Sequence, residues 1–461
     1  MVKPQNRSTT DAHLDRRRFL QGALSLTAAA STPGVFATAA EPAAREGPAV
    51  QLRRPRLRVA VVGAGAFGGW TALHLARRGA EVTLVDAWGA GNPRSSSGGE
   101  TRVIRGMYGA DAVYTDWVVR SFELWREAEW EERLYRRTGV LWMFRGDDAY
   151  ARDSLPLLEE RGLPVDEFEV AAARGRFPQV SFEGVRSVFY EHEAGYLPAR
   201  HACRRIAEAV SAAGGTVRVA WGEPGAVGEG AMGPLRLVEG SAAAPARPGR
   251  PSPGDGEGSG VSTLEADAYV FACGPWLGRL FPEAIGAGVR PTRQEVYFFG
   301  VPAGEARYEE ERFPTWIDFG ERVFYGVPGN LGRGFKVADD TRGEEVDPTT
   351  MERTPTAAHL DRARRLLAER FPPLAGAPLV EARVCQYENS PDGDLVLDRL
   401  PGAANAWVAG GGSGHGFKLG PAVGEHVARL VLGEAEPFER FSIARLATVL
   451  EAPRTQMRGD G

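Results

Sequence analysis

Only three lysines, Lys3, Lys336 and Lys418, stand against 52 arginines in this 461-residue chain. Lys418 lies inside the glycine-rich stretch "GGGSGHGFKLGP", residues 410–421. A lysine is a compact point charge on a flexible stem, and its pKa shifts readily on burial; arginine is a rigid, permanently charged fork. A site that tolerates either cation is expected to read Arg in such a chain, so Lys336 and Lys418 point to positions that need the ammonium group. A second constellation is Gly63-x-Gly65-x-x-Gly68, followed 23 residues after Gly63 by Asp86. In a dinucleotide site the first glycine makes a tight turn, the second lets the backbone approach a pyrophosphate, and the third lets helix and strand pack closely. The helix N-terminal amides then face the phosphates, and an acid at the distance of Asp86 accepts from a ribose hydroxyl.

The flanking sequence supplies the elements this chemistry needs. Residues 59–62 are a continuous apolar run, the pattern of a strand buried on both faces. Ala72, Leu73 and Ala76 recur at helical spacing before Gly79, and a second apolar run at 82–85 closes on Asp86. Strand, turn, helix, strand and acid fall in order. The motif by itself does not separate FAD from NAD.

Other stretches carry a family resemblance: "GETRVIR" at 99–105, "YVFACGPW" at 269–276, "FYGVPGNLGRGFKVADD" at 324–340, "CQYEN" at 385–389 and "SGHGFK" at 413–418. Over residues 58 to about 445 the chain resembles the sarcosine oxidase and N-methyl amino acid oxidase branch of the FAD-dependent, D-amino-acid-oxidase-like oxidoreductases, which includes the N-methyltryptophan oxidases. The resemblance implies an α/β fold in which a Rossmann-type FAD-binding domain is braided with a β-sheet-rich substrate domain. It implies FAD linked covalently through Cys385, with Thr101 and Arg102 packed close to the flavin. Arg105 and Lys418 would hold a substrate carboxylate, Lys336 would lie where oxygen is reduced, and Tyr325 would line the substrate cavity. Gly414 and Gly416 belong to the turn that brings a helix N-terminus to the flavin. That terminus carries about half a positive charge, which favours the negative charge of a reduced flavin. His415, in the same turn, reads as a structural hydrogen-bonding residue.

The implied activity is oxidation of a secondary amine, an N-methyl or N-alkyl amino acid, with O₂ reduced to H₂O₂ and the imine hydrolysed. The alternatives are a dehydrogenase that reduces an envelope electron carrier, an oxidase of another carboxylated amine such as a glycated or cyclic amino acid, and a flavin-binding protein without turnover. The chain departs from the family pattern twice: Gly98 and Asp340 stand where histidines are usual. Asp340 either faces the cavity, favouring a substrate with an added positive charge, or sits on a loop beside Asp339.

Length and composition frame these sites. Hydrophobic residues make up 43% and charged residues 25% of the chain, ordinary for a protein with a real core, and 461 residues suggest two domains. A net charge of −5 gives no basic field for nucleic acid. Three cysteines and seven scattered histidines show neither a disulfide framework nor metal-ligand spacing, so no metal is expected. No apolar run reaches the ~18–20 residues that cross a bilayer. Arg16, Arg17 and Arg18, then Phe19-Leu20, a modestly apolar segment and small residues up to Ala40 resemble a twin-arginine export signal over residues 1–40. The expectation is an exported monomer, handled by the twin-arginine translocase after folding. Cleavage at residue 40 would remove five cations and two anions, taking the net charge to about −8.

The expected flavin domain spans 50–140, 191–290 and 386–441, and the substrate domain 141–190 and 291–385. Residues 205–213 read as a helix and 216–219 as a strand. Residues 240–260, rich in Pro, Gly, Ser and Ala, read as a disordered insertion between two strands. Residues 421–432 read as the helix after Lys418.

Overall fold

A computed structural model describes residues 56–127, 133–239 and 260–448. The expected signal at 1–40 and nearly all of the expected 240–260 insertion lie outside the described residues. Two sheets organise the described residues. The first has six strands in the order Val396–Arg399, Ala406–Gly410, Ala268–Phe271, Arg58–Val62, Glu81–Asp86, Thr216–Val219. All pair in parallel except the Val396–Arg399 edge. The central strand needs its apolar run because both faces are covered: Val59 and Val61 join one cluster, Ala60 and Val62 the other. The helices Ala66–Arg77, Ala199–Ala212 and Gly420–Val431 contribute Leu73, Ile206 and Val427 to the first cluster, each with 0% exposure. Burying an aliphatic side chain of this size stabilises the fold by about 1.5–3 kcal/mol.

The Ala199–Ala212 helix starts six residues before the expected one. Its first turns bury Ala199, Ala202 and Cys203, small residues whose periodicity is weaker than that of Ile206 and Val210. The 240–260 segment interrupts a small three-stranded sheet, in which Leu235–Val238 and Val261–Leu264 pair antiparallel.

The second sheet has eight strands in the order Leu379–Asn389, Arg290–Phe299, Phe335–Asp339, Val323–Gly326, Thr315–Phe319, Val140–Phe144, Ser187–Glu191, Val165–Phe168. Its strands come from separate stretches of sequence, interleaved with those of the first sheet. The expected boundary at 385/386 falls inside the Leu379–Asn389 strand, which pairs with Arg290–Phe299 in one register from Glu381 through Asn389. Among the described residues no helix is long and apolar enough to cross a membrane, and no His, Cys, Asp or Glu cluster could hold a metal ion.

Candidate active site

The register of the eight-stranded sheet sets the site. Paired residues on neighbouring strands project to the same face, and a strand repeats every second residue. Gln294 faces Cys385, Thr292 faces Tyr387, and Phe298 faces Lys336. Val296 faces Ala338, Ala338 faces Tyr325, Tyr325 faces Ile317, and Ile317 faces Trp142. One face therefore carries Cys385, Tyr387, Lys336, Tyr325, Ile317 and Trp142, although Trp142 and Tyr387 lie 245 positions apart in sequence. Asp340, four residues beyond Lys336, continues that face past the strand end.

Lys336 is 1% exposed. Its Nζ donates to the Thr101 carbonyl at 3.1 Å and to Thr101 Oγ1 at 3.3 Å, and lies 5.1 Å from the centre of the Tyr325 ring. Burial, reinforced by the Arg102 charge, pushes its pKa down to about 7. Arg102 donates to Cys385 Sγ at 3.3 Å and to the Ser96 carbonyl at 2.6 Å.

Arg105, Lys418, Tyr325, Asp340, Arg342 and Tyr387 line one cavity of about 740 Å³. Arg105 sits in an aromatic box of Tyr108, Trp142 and Tyr150, and donates to Tyr150 Oη at 3.0 Å and to the Met107 carbonyl. Lys418 lies in a short 3-10 turn, Phe417–Leu419, that leads into the Gly420–Val431 helix. Its Nζ donates to the His415 carbonyl at 2.9 Å. Burial, then the Arg105 charge, pushes the Lys418 amine well below its ordinary value. Two cations that raise each other's cost in a dry wall form an anion site: a bound carboxylate repays that cost for both. The His415 ring is spent on structure. Nε2 lies 3.1 Å from the Gly393 carbonyl, which only accepts, so Nδ1 accepts from Tyr108 Oη at 3.1 Å. Burial and Lys418 hold this imidazole neutral.

A second chamber of about 1050 Å³ adjoins the first, with Arg102, Tyr387, Gly414 and Phe417 in both walls. Gly63, Gly65, Asp86, Gly414 and Gly416 line it. Gly63 has φ +105°, and a Cβ on Gly68 would lie 1.9 Å from the Gly63 carbonyl, so only glycine fits either position. Asp86 accepts from the amides of Ala64 and Trp88, both at 2.9 Å, at the chamber edge. This is a nucleotide-shaped cleft at the carboxyl ends of parallel strands.

Residues 58–430 match the family described as FAD dependent oxidoreductase. The chain belongs to that family. It is 30% identical over 403 residues to the monomeric sarcosine oxidase of Bacillus sp. (strain B-0618), covering 84% of this chain and 96% of the relative. It is 27% identical to the N-methyl-L-tryptophan oxidase of Salmonella heidelberg (strain SL476), covering 82% and 95%. Its fold is similar to that of L-proline dehydrogenase from P. horikoshii, with TM-score 0.70, 19% identity and coverage of 85% and 98%. It is also similar to fructosamine oxidase (Amadoriase II) from Aspergillus fumigatus in complex with FSA, with TM-score 0.71, 20% identity and coverage of 87% and 93%.

The residues of this FAD-dependent oxidoreductase fit its cofactor. Four buried side-chain atoms in the larger chamber find no hydrogen-bond partner within the protein: Trp88 Nε1, Ser96 Oγ, Trp221 Nε1 and Glu388 Oε2. Orphaned polar atoms are costly, and a ligand studded with hydroxyl, phosphate and ring acceptors answers them. Glu388, a chamber-lining residue with an unpartnered oxygen, is one that sequence reasoning missed. Burial pushes its carboxyl up to about 8, so at neutral pH it keeps its proton and can donate to the cofactor. A Glu beside a strand tyrosine carries no signal of this in sequence. Arg342 was missed as well.

The two departures from the family pattern separate. A Cβ at Gly98 would lie 2.0 Å from the Asn92 carbonyl, so no side chain fits there. Asp340 faces the cavity, accepting from Tyr387 Oη at 2.7 Å.

Proposed function

We propose that this enzyme oxidises a secondary amine, an N-methyl or N-alkyl amino acid, to an imine that water hydrolyses, with O₂ reduced to H₂O₂. The observation that carries this reading is the buried Arg105–Lys418 pair in a cavity that shares its wall with the dinucleotide chamber. When bound, the flavin supplies the two-electron acceptor. Arg105 and Lys418 hold the carboxylate and so fix the amine's α C–H against the shared wall. Tyr325, Ile317 and Phe417 narrow the cavity and exclude water. Lys336 offers a cation where negative charge develops on O₂, and Cys385 Sγ, beside Arg102, is the point of covalent attachment.

Names of similar proteins support the class: sarcosine oxidases and an N-methyl-L-tryptophan oxidase among the relatives. Retention of Lys336 favours O₂ over an envelope carrier. The fold shared with a fructosamine oxidase favours, as a second reading, a glycated amino acid as substrate. The protein works as a monomer outside the cytoplasm, exported already folded by the twin-arginine route on the basis of residues 14–40.

Anaerobic titration tests the reading. A panel of N-methyl, cyclic and glycated amino acids is expected to bleach the flavin for the N-alkyl members, with one H₂O₂ formed per turnover once air is admitted. Bleaching by none of them rejects amine oxidation; bleaching without peroxide points to the dehydrogenase alternative. Yellow colour that stays with the denatured polypeptide is the expected sign of the Cys385 link; a colourless polypeptide with released flavin excludes it.

A further inference from the structure

We propose that Asp340 is the proton acceptor for the substrate's ammonium group, so that the cavity takes amino acids as zwitterions and releases the amine lone pair inside the site. This role rests on the reading of the enzyme as an amine oxidase.

An N-alkyl amino acid is a secondary ammonium at neutral pH, because aliphatic amines titrate near 10. A protonated nitrogen has no lone pair to drive the departure of the α C–H with its electrons, so a base within the cavity is needed. Among the described residues, Asp340 is the only carboxylate in the cavity wall. It belongs to the same face as Lys336 and Tyr325 and lines the same cavity as the carboxylate-holding cations Arg105 and Lys418, close enough to feel both charges. Tyr387 Oη donates to Oδ1 at 2.7 Å and orients the group; a carboxylate offers about four acceptor positions, so capacity for an ammonium N–H remains. Tyr387 is in turn 3.5 Å from Tyr325 Oη, which keeps both phenols in register with the base.

Charged and titratable groups around Asp340 come from each neighbouring element: Asp339 and Arg342 on its own segment, Tyr325 and Tyr387 on the sheet, Arg105 from the 99–105 stretch, and Lys418 with His415 from the glycine turn. Burial dominates and pushes the Asp340 carboxyl up to about 6. That value keeps it ionised at neutral pH and makes it a stronger base than an ordinary aspartate. His415 cannot serve, since both ring nitrogens are engaged and the ring is held neutral by its surroundings. The expected preference for an additional cationic side chain also changes meaning. Arg342 lines the same wall, so a further cation would meet Arg342 as well as Asp340; the charge that Asp340 matches is the ammonium itself.

The step balances. The substrate N–H bond breaks and an Asp340 O–H bond forms. The freed lone pair then becomes the C=N bond as the α C–H leaves with two electrons to the oxidised flavin, and the proton on Asp340 passes to solvent with product release.

Two measurements on the flavin-loaded enzyme test this. First, the rate of anaerobic flavin reduction by an N-methyl amino acid is followed against pH. Wild type is expected to lose rate about tenfold per unit below pH ~6. Asp340→Asn is expected to be about 100–1000-fold slower at pH 7 and to climb about tenfold per unit toward pH 9–10, where the amine deprotonates in water. Asp340→Glu is expected to keep the acid limb. Second, two non-oxidisable ligands are titrated by their perturbation of the flavin's visible spectrum: methylthioacetate, which has no charge at the nitrogen position, and trimethylammonioacetate, which has a fixed one. Asp340→Asn is expected to weaken only the cation, by about tenfold or more. Equal weakening of both ligands, or an Asp340→Asn profile that overlays wild type, overturns the role. Failure of every amine to bleach wild type instead overturns the amine-oxidase reading, and with it the role of Asp340.

Discussion

At the scale of the residue, the site depends on buried ionisable groups held away from their ordinary charge states. Lys336→Met is expected to slow reoxidation of reduced flavin by O₂ about 10²–10³-fold while leaving flavin reduction within a few-fold, read by stopped-flow traces of the two half-reactions. Equal slowing of both would show a packing effect in place of a cation effect. Lys418→Arg keeps the charge but not the compact head that reaches the His415 carbonyl. It is expected to raise KM for the amine about tenfold or more with the flavin still bound. Glu388 predicts a pH effect on stability. Its folded pKa of about 8 lies above the ordinary 4.5. Its contribution is therefore fully present below 4.5 and is lost as pH rises through about 8. Cofactor-free Glu388→Gln lacks that loss, so its melting temperature is expected to gain on wild type between pH 5 and 8. Parallel Tm–pH curves would contradict a buried, protonated Glu388.

At the scale of the element, the tightest constraints are turns in which backbone meets backbone. Gly68→Ala puts a methyl against the Gly63 carbonyl, where neither side can yield without moving the strand–helix junction. A cost of about 1–3 kcal/mol is expected, together with a colourless protein on purification. A yellow, equally stable variant would mean that the junction is more pliant than its geometry implies. The Leu379–Asn389 strand shows how one element serves both chambers. Cys385 and Tyr387 share the face with Lys336 and Tyr325, while Glu388, one residue on, reaches the dinucleotide chamber. Tyr387 itself lines both chambers, so the end of this strand lies where they meet.

At the scale of the whole molecule, the interleaving of the two sheets brings the chambers together. The dinucleotide chamber takes Val62, Asp86 and Ala409 from the six-stranded sheet and Tyr387 and Glu388 from the eight-stranded one, while the smaller cavity takes Ile317, Tyr325 and Tyr387 from the eight-stranded sheet. Replacing Arg16, Arg17 and Arg18 by lysine is expected to leave a folded, yellow protein inside the cell, which fractionation and flavin fluorescence would check; undiminished export would remove the twin-arginine reading. Much of this was legible in order along the chain. The apolar run at 59–62, the three glycines and Asp86 announce a strand, a turn and a helix because those patterns are local. The lysine scarcity marks Lys336 and Lys418 because substitution tolerance is a property of each position. Asp340 could be read either way in sequence, and Glu388 and Arg342 were silent, because a carboxylate or a guanidinium looks the same on a solvated strand end as in a dry wall. The local sequence determined the cofactor turn and the two exceptional cations. Only tertiary structure decided what surrounds them: desolvation and the approach of charges distant in sequence set which groups keep a proton, and these arise when the two sheets close on each other.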